Sequence, residues 1–231
     1  MKKTLFYFTI ISLLIACNPS KKSNMKVQGK IDGLKKGTVY LKKYIDTLLY
    51  TVDSTTLNGV NEFILYDHVN SPEIYLLTLD NNTEKSIMFF GEPGEIKIQT
   101  KLEKYNTSAK ITGSKNHELW EGYKHIISQF NGQQLDLIKA KFEAQKDNDA
   151  AALAKVMEDE KRLIRRKYLY TTNYAITNGK YEVAPYLAIT ELYYANLKLL
   201  DTVNNSLSQE IKNSKYGIQL QRFIDQINVV E

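Results

Sequence analysis

The hydrophobic period of this chain changes once, near residue 113, and that change limits the possible folds more than any other feature. From Met25 to about Thr112, apolar residues alternate with others: Val39 and Leu41, Phe63 and Leu65, Ile74 and Leu76, Ile96 and Ile98. A period of two puts one set of side chains on one face of a strand. Turn sequences divide the region at Asp32-Gly33, Asn58-Gly59, Asp80-Asn81-Asn82 and Glu92-Pro93-Gly94. Asn-Gly accepts the positive φ of a tight hairpin, and Pro-Gly suits a type II turn. Seven or eight short strands are expected, folded as an antiparallel β-sandwich or barrel.

From Ser114 the spacing becomes helical, through Leu119, Trp120, Tyr123, Ile126, Ile127 and Phe130. Ser114, after Gly113, is the expected N-cap. A second helix is expected from Asp149 to Asn178, carrying Leu153, Val156, Met157, Leu163 and Ile164 and stopped at Gly179. Pro185 suits the first turn of a third helix running through Leu199. A fourth and a fifth follow, the last carrying Leu220, Phe223, Ile224 and Ile227. The fold class is α+β: a β-domain over residues 26–113, then a helical region over 114–231 without internal repeats.

The segment before these regions has a different character. Residues 1–17 read MKKTLFYFTIISLLIAC. Lys2 and Lys3 give a positive start, Leu5 to Ile15 is nearly all apolar, and small Ala16 precedes Cys17. That is the layout of a secretory signal peptide, and the run is shorter than the roughly 20 residues of a spanning helix. Leu14-Ile15-Ala16-Cys17 matches the lipobox of bacterial lipoproteins, so residues 1–16 are expected to be removed and Cys17 to be lipidated. A plain secretory signal or anchor helix with a chance cysteine is the competing reading. It is disfavoured because Cys17 is the only cysteine and sits where a lipobox needs it. Residues 17–25 then form the lipidated end and a polar tether, NPSKKSN. Without an acidic export run there, the periplasmic face of the outer membrane is the expected location. One acyl chain binds membranes only marginally, so the two or three chains of bacterial lipoproteins imply a durable anchor.

Charge and cysteine content exclude several functions. The net charge of +5 falls to +3 without Lys2 and Lys3 and to near +1 without Lys21 and Lys22. That is no nucleic-acid footprint. A body with no thiol beyond Cys17 has no disulfide, CxxC pair or cysteine nucleophile.

Candidate chemistry is sparse. His117, Glu121 and His125 share one helix face, because steps of four advance about 40°. The apolar stripe centred on Tyr123 lies roughly opposite, so this face is expected to look at solvent. Three ligands spread over two turns also close poorly around a tetrahedral ion. A solvated polar face is therefore favoured over a metal site, and His68 is given no role. The run Glu158-Asp159-Glu160-Lys161-Arg162 with Arg165-Arg166-Lys167 could dock an acidic partner, but Glu158 and Arg162 at i,i+4 favour a salt-bridged helix face. Tyr168, Tyr170, Tyr174, Tyr181, Tyr186, Tyr193 and Tyr194 are expected in the core and its boundary more than in a ligand groove. Asn81, Asn106 and Asn204 stand in sequons and are expected in turns. No phosphate loop, nucleophile elbow or Ser/His/Asp set stands out, so no cofactor is expected and the chain is read as a non-enzyme.

The order of several short motifs carries a resemblance. Asp53-Ser54-Thr55 with Asn58-Gly59 and Glu62-Phe63, then Pro72 with Tyr75-Leu76-Leu77, then Phe89-Phe90 with Glu92-Pro93-Gly94-Glu95-Ile96, lead to Ile111-Thr112-Gly113-Ser114. Val183-Ala184-Pro185-Tyr186 and Ser214-Lys215-Tyr216-Gly217 follow. Over about residues 26–222 this resembles the N-terminal domain of unknown function and helical region of periplasmic TlpA-type thiol-disulfide oxidoreductases. In that family a thioredoxin-like domain with a CxxC pair follows the Ser-x-Tyr-Gly stretch, and no such pair follows Gly217 here. The resemblance therefore implies the accessory part alone. The expected function is a non-catalytic envelope lipoprotein whose sheet edge, or groove between sheet and helices, binds a protein, peptide or glycan. The alternative is an accessory subunit of an envelope redox system that works with a separate thioredoxin-like protein.

Overall fold

The computed structural model describes residues 23–230; the signal segment and Cys17 lie outside the described residues. Eight strands come first: β1 (Met25–Asp32), β2 (Lys36–Ile45), β3 (Leu48–Asn58), β4 (Glu62–Asp67), β5 (Glu73–Leu79), β6 (Asn82–Gly91), β7 (Gly94–Lys101) and β8 (Lys110–Thr112). They form two four-stranded sheets, ordered β4-β1-β7-β8 and β3-β2-β5-β6. The outcome is a sandwich. Every pairing is antiparallel except β1 with β7, which run parallel with Val27 opposite Ile96.

The alternation explains the sandwich core. Val27, Leu41, Leu65, Leu77, Phe89, Ile96 and Ile98 meet between the sheets, each essentially inaccessible to solvent. β5 is the exception in pattern, because all seven of its residues are buried. Tyr75, Leu77 and Leu79 fill the sandwich, while Ile74 joins a second cluster on the outer face of the sheet. A strand covered on both faces reads as a continuous apolar run rather than a clean alternation.

The helices lie against that outer face. They are α1 (Lys115–Lys146), α2 (Ala150–Thr177), α3 (Val183–Glu191), α4 (Leu197–Ser206), α5 (Gln209–Lys212) and α6 (Lys215–Val230). Ser114 caps α1 by accepting the His117 N–H at 3.0 Å, and Asp149 caps α2 by accepting the Ala152 N–H at 2.9 Å. Both caps satisfy N–H groups that a helix cannot pair internally. The expected third helix through Leu199 is instead two helices. The chain leaves α3 at Leu192, and Asn196 caps a fresh start by accepting the Lys198 N–H at 2.9 Å. With the short α5, six α-helices stand among the described residues where five were expected.

Two glycines permit close backbone approaches, one where the halves meet and one between α5 and α6. Gly113 holds φ +93, and a methyl group there would collide with the carbonyl oxygen of Glu95. Gly217 sits in the first turn of α6, where a methyl would strike the carbonyl of Ile211. Only glycine permits both approaches. Among the described residues, no helix is long and apolar enough to cross a membrane.

Candidate functional site

The junction between sheet and helices is built around aromatic rings. Phe90 points outward from β6 and meets Trp120, Tyr186 and Tyr216 edge-on, with centroids 5.7, 5.1 and 6.3 Å away. Edge-to-face contacts of this kind suit the ring quadrupoles. The Ile74 N–H, at the start of β5, donates to the Tyr216 hydroxyl at 3.0 Å, and this bond is buried. Burial pushes the Tyr216 phenol far above its ordinary value, so it stays a neutral hydroxyl.

Polar groups complete the junction. Glu92, in the β6–β7 turn, accepts from the Lys115 N–H at 2.6 Å, the Asn116 N–H at 3.2 Å and the Asn116 side-chain amide at 2.7 Å. A carboxylate at the first turn of α1 pairs free N–H groups and complements the helix dipole. Asn116 Oδ1 then accepts the Val183 N–H at 3.0 Å, which ties α1 to α3. At the other side, Lys43 donates to Asp67 at 2.7 Å and reaches Glu73 at 3.2 Å, while Tyr75 donates to Asp67 at 2.6 Å. Lys215 on α6 pairs with the second oxygen of Glu73 and donates to the Tyr44 carbonyl at 3.1 Å. Burial alone would push the Lys43 ammonium down; Asp67 and Glu73 outweigh it and hold the group above its ordinary value.

These elements enclose a cleft of about 620 Å³. Its walls are the β4–β5 loop (Asn70 to Pro72), the β6–β7 turn, the start of α1, the α2–α3 link (Lys180 to Glu182) and the α5–α6 corner up to Lys215. A volume near 600 Å³ is ordinary for a small-ligand site. Three acidic residues (Glu92, Glu182, Glu210) and three lysines (Lys115, Lys180, Lys215) are among those that line it.

Glu182 is its unusual member. The residue is 1 % exposed, and among the described residues neither carboxylate oxygen has a hydrogen-bond partner in acceptable geometry. Burial pushes its pKa up to about 7, and the nearby Ser214 hydroxyl and Tyr216 N–H offset that only in part. Ser214 spends its proton on the Ile211 carbonyl at 2.6 Å. Buried side-chain oxygens without a partner are rare, and each calls for a reason.

The residues singled out from sequence fare differently. His117 does not face solvent: it is 3 % exposed, lies edge-on to Trp120, and burial lowers its pKa to about 4. Its Nε2 stands 3.5 Å from an exposed Glu121, while His125 is exposed one turn on. The reason is that α1 packs with Trp120 as well as Tyr123 inward, which rotates the start of the stripe over position 117. Glu158 does not pair with Arg162; Asp159 takes it, and Glu160 bonds Lys141 across to α1 at 2.8 Å. Tyr168, Tyr170, Tyr174, Tyr181 and Tyr186 pack in the helical clusters, whereas Tyr193 and Tyr194 are 54 % and 87 % exposed, Tyr193 stacking on Phe223 and Tyr194 meeting Tyr193 edge-on. Asn81 sits in a turn at φ 58, and Asn106 donates to the Glu84 carbonyl at 2.7 Å. Asn204 is not in a turn: it lies inside α4 and donates to Gln221 at 2.7 Å. Glu182 itself was missed, because one acid before an apolar helix gives no sign of burial.

Comparison with known families adds one assignment. Residues 25–120 match the family model described as a domain of unknown function, DUF4369. The match runs past β8 into the first turns of α1, as far as Trp120. No curated protein and no solved structure matches the chain.

Proposed function

We propose that this chain is a lipid-anchored, non-catalytic binding module of the cell envelope, and that the junction cleft is its ligand seat. One observation carries the reading. Glu182 is a buried carboxylate without a donor, on the wall of a cleft large enough for a small ligand. A hydroxyl or ammonium entering the cleft would supply that donor, and the mixed charges around it favour a peptide or glycan over an apolar molecule. The anchor is the lipid on Cys17, on the periplasmic face of the outer membrane.

The test uses the full chain in native membranes with a crosslinking pulldown, alongside a thermal-shift panel of short peptides and oligosaccharides. A ligand that raises Tm for the wild type and not for Glu182→Ala supports the seat. No enriched partner and no shift across the panel would sink it. Metabolic labelling with palmitate tests the anchor separately, since Cys17→Ala must abolish incorporation.

A second reading is supported by the location of the TlpA-type motifs. Glu92, Gly113, Ser114, Val183, Lys215 and Tyr216 all fall at the junction. In this reading the same surface receives a separate thioredoxin-like protein. An unchanged redox state of envelope thiols after gene deletion would overturn it.

A further inference from the structure

A second cleft, away from the junction, lies between α2 and α4 and measures about 600 Å³. Its floor is apolar: Ile164, Tyr168 and Leu169 from α2 and Leu199 from α4. Ile164 and Leu169 remain 45 % and 44 % exposed, which is high for such side chains in a recess. Lys161, Arg165 and Lys198 stand around it, and no carboxylate lines it. None of the three cations forms an ion pair among the described residues, although α2 carries three acids just before them. Asp159 and Glu160 are engaged by Arg162 and Lys141 instead. The Tyr168 hydroxyl likewise makes no hydrogen bond among the described residues. Lys161 and Arg165, and Ile164 and Tyr168, are i,i+4 pairs, so one face of α2 presents charge and apolar surface together.

We propose that this groove binds a single-chain anionic amphiphile, a fatty carboxylate being the simplest, with its alkyl chain on the floor and its head among the three cations. A neutral apolar ligand would leave the cations unused, and a small anion would leave the floor uncovered. A peptide would need acids and apolar residues in register over a recess only a few residues long.

The full chain in isolated membranes is exposed to a diazirine-bearing dodecanoate, irradiated, and mapped by mass spectrometry. Labelling is expected on the peptides that hold Ile164 to Leu169 and Leu199. A probe with the same chain and a trimethylammonium head should label at least fivefold less. Competition by unlabelled carboxylates from C8 to C12 should strengthen about two- to fourfold per added methylene, as burial of hydrocarbon requires. The triple variant Lys161→Gln, Arg165→Gln, Lys198→Gln should lose labelling at least fivefold with its Tm unchanged. Equal labelling by the cationic probe, or labelling that ignores the triple substitution, overturns the proposal. So does binding to anionic vesicles through the same cations without labelling by the free carboxylate, which would make the face a membrane-docking surface.

Discussion

The sandwich core and the sheet–helix junction sit on opposite faces of β5 and β6, and they are built differently. Between the sheets the filling is mostly aliphatic, with Phe63, Tyr75, Phe89 and Tyr105 as its aromatic members. On the other face, one residue over, the rings of Phe90, Trp120, Tyr186 and Tyr216 share the space with Glu73, Asn116, His117 and Glu182. A dry core is satisfied by volume and shape. A core with buried polar groups is satisfied only when each group has a partner. The contrast teaches where to look for function: among the described residues the buried side-chain atoms without a partner are the two Glu182 oxygens and His117 Nδ1 at the junction, with the lone hydroxyls of Thr78 on β5 and Thr172 on α2.

Adjacent phenylalanines test the contrast most strongly. Phe89→Ala should remove about 3–5 kcal/mol from the sandwich and unfold the whole chain earlier. Phe90→Ala should lose a similar amount, but at the junction. Hydrogen exchange separates the two. In Phe90→Ala the amides of α1, α3 and α6 should open while β1, β2 and β7 stay protected. Uniform opening in both variants would mean that the two cores are one cooperative unit.

Protonation gives the next largest effect, and its sign differs between two groups. The carboxyl of Glu182 titrates near 7 when folded against an ordinary 4.5, so the unfolded chain ionises it first. Folding stability therefore falls as pH rises from about 4.5 to about 7, by about 3 kcal/mol in all. The imidazole of His117 titrates near 4 when folded against an ordinary 6.5, so the unfolded chain takes up the proton first. Stability then falls as pH drops from about 6.5 to about 4, by a similar amount. The two slopes oppose each other over the shared window. Denaturant melts of the wild type should be nearly flat there, Glu182→Gln should gain stability with rising pH, and His117→Phe should lose it. Parallel pH profiles for all three proteins would remove both groups from the account.

Tyr216 ranks third. Tyr216→Phe keeps the ring against Phe90 and strands the Ile74 N–H, which should lower stability by about 1–3 kcal/mol. Faster exchange at the Ile74 amide would locate the loss.

What could be read from sequence follows the same division. The strands are legible as seven or eight short segments because a sandwich core enforces period two, and the first helix because Ser114 and the stripe through Tyr123 mark its start. The β2–β3 turn left no such mark, since Asp46 takes φ 54 with no glycine beside it. The break after Glu191 was hidden because apolar Leu192, Leu197 and Leu200 continue the helical count across it. The junction was legible only as motif fragments. Glu92, the Gly113–Asn116 stretch, Glu182 and Tyr216 come from four separate places in the chain, and local spacing carries no trace of contacts between them. His117 is the sharpest case: helical geometry placed it on the polar face, and the added width of Trp120 turned that position inward.

The smallest prediction concerns a region that belongs to neither core. No residue between Phe130 and Tyr168 joins the packed clusters, and Leu135, Ile138 and Phe142 are 65 %, 51 % and 68 % exposed there. The α1–α2 hairpin tip is thus held by its caps and by contact between its two helices. Ser114 and Asp149 make the same kind of cap at the starts of α1 and α2, one at the junction and one at the tip, but the His117 N–H behind Ser114 is buried and the Ala152 N–H behind Asp149 is exposed. Water can replace a cap only at an exposed N–H. Ser114→Ala should therefore lower global stability by about 1–2 kcal/mol, read from the denaturant midpoint. Asp149→Ala should leave that midpoint nearly unchanged and instead speed exchange over residues 144–155, because fraying there opens the tip without opening either core. Equal shifts in the midpoint for the two variants would show that the hairpin tip folds as part of the junction.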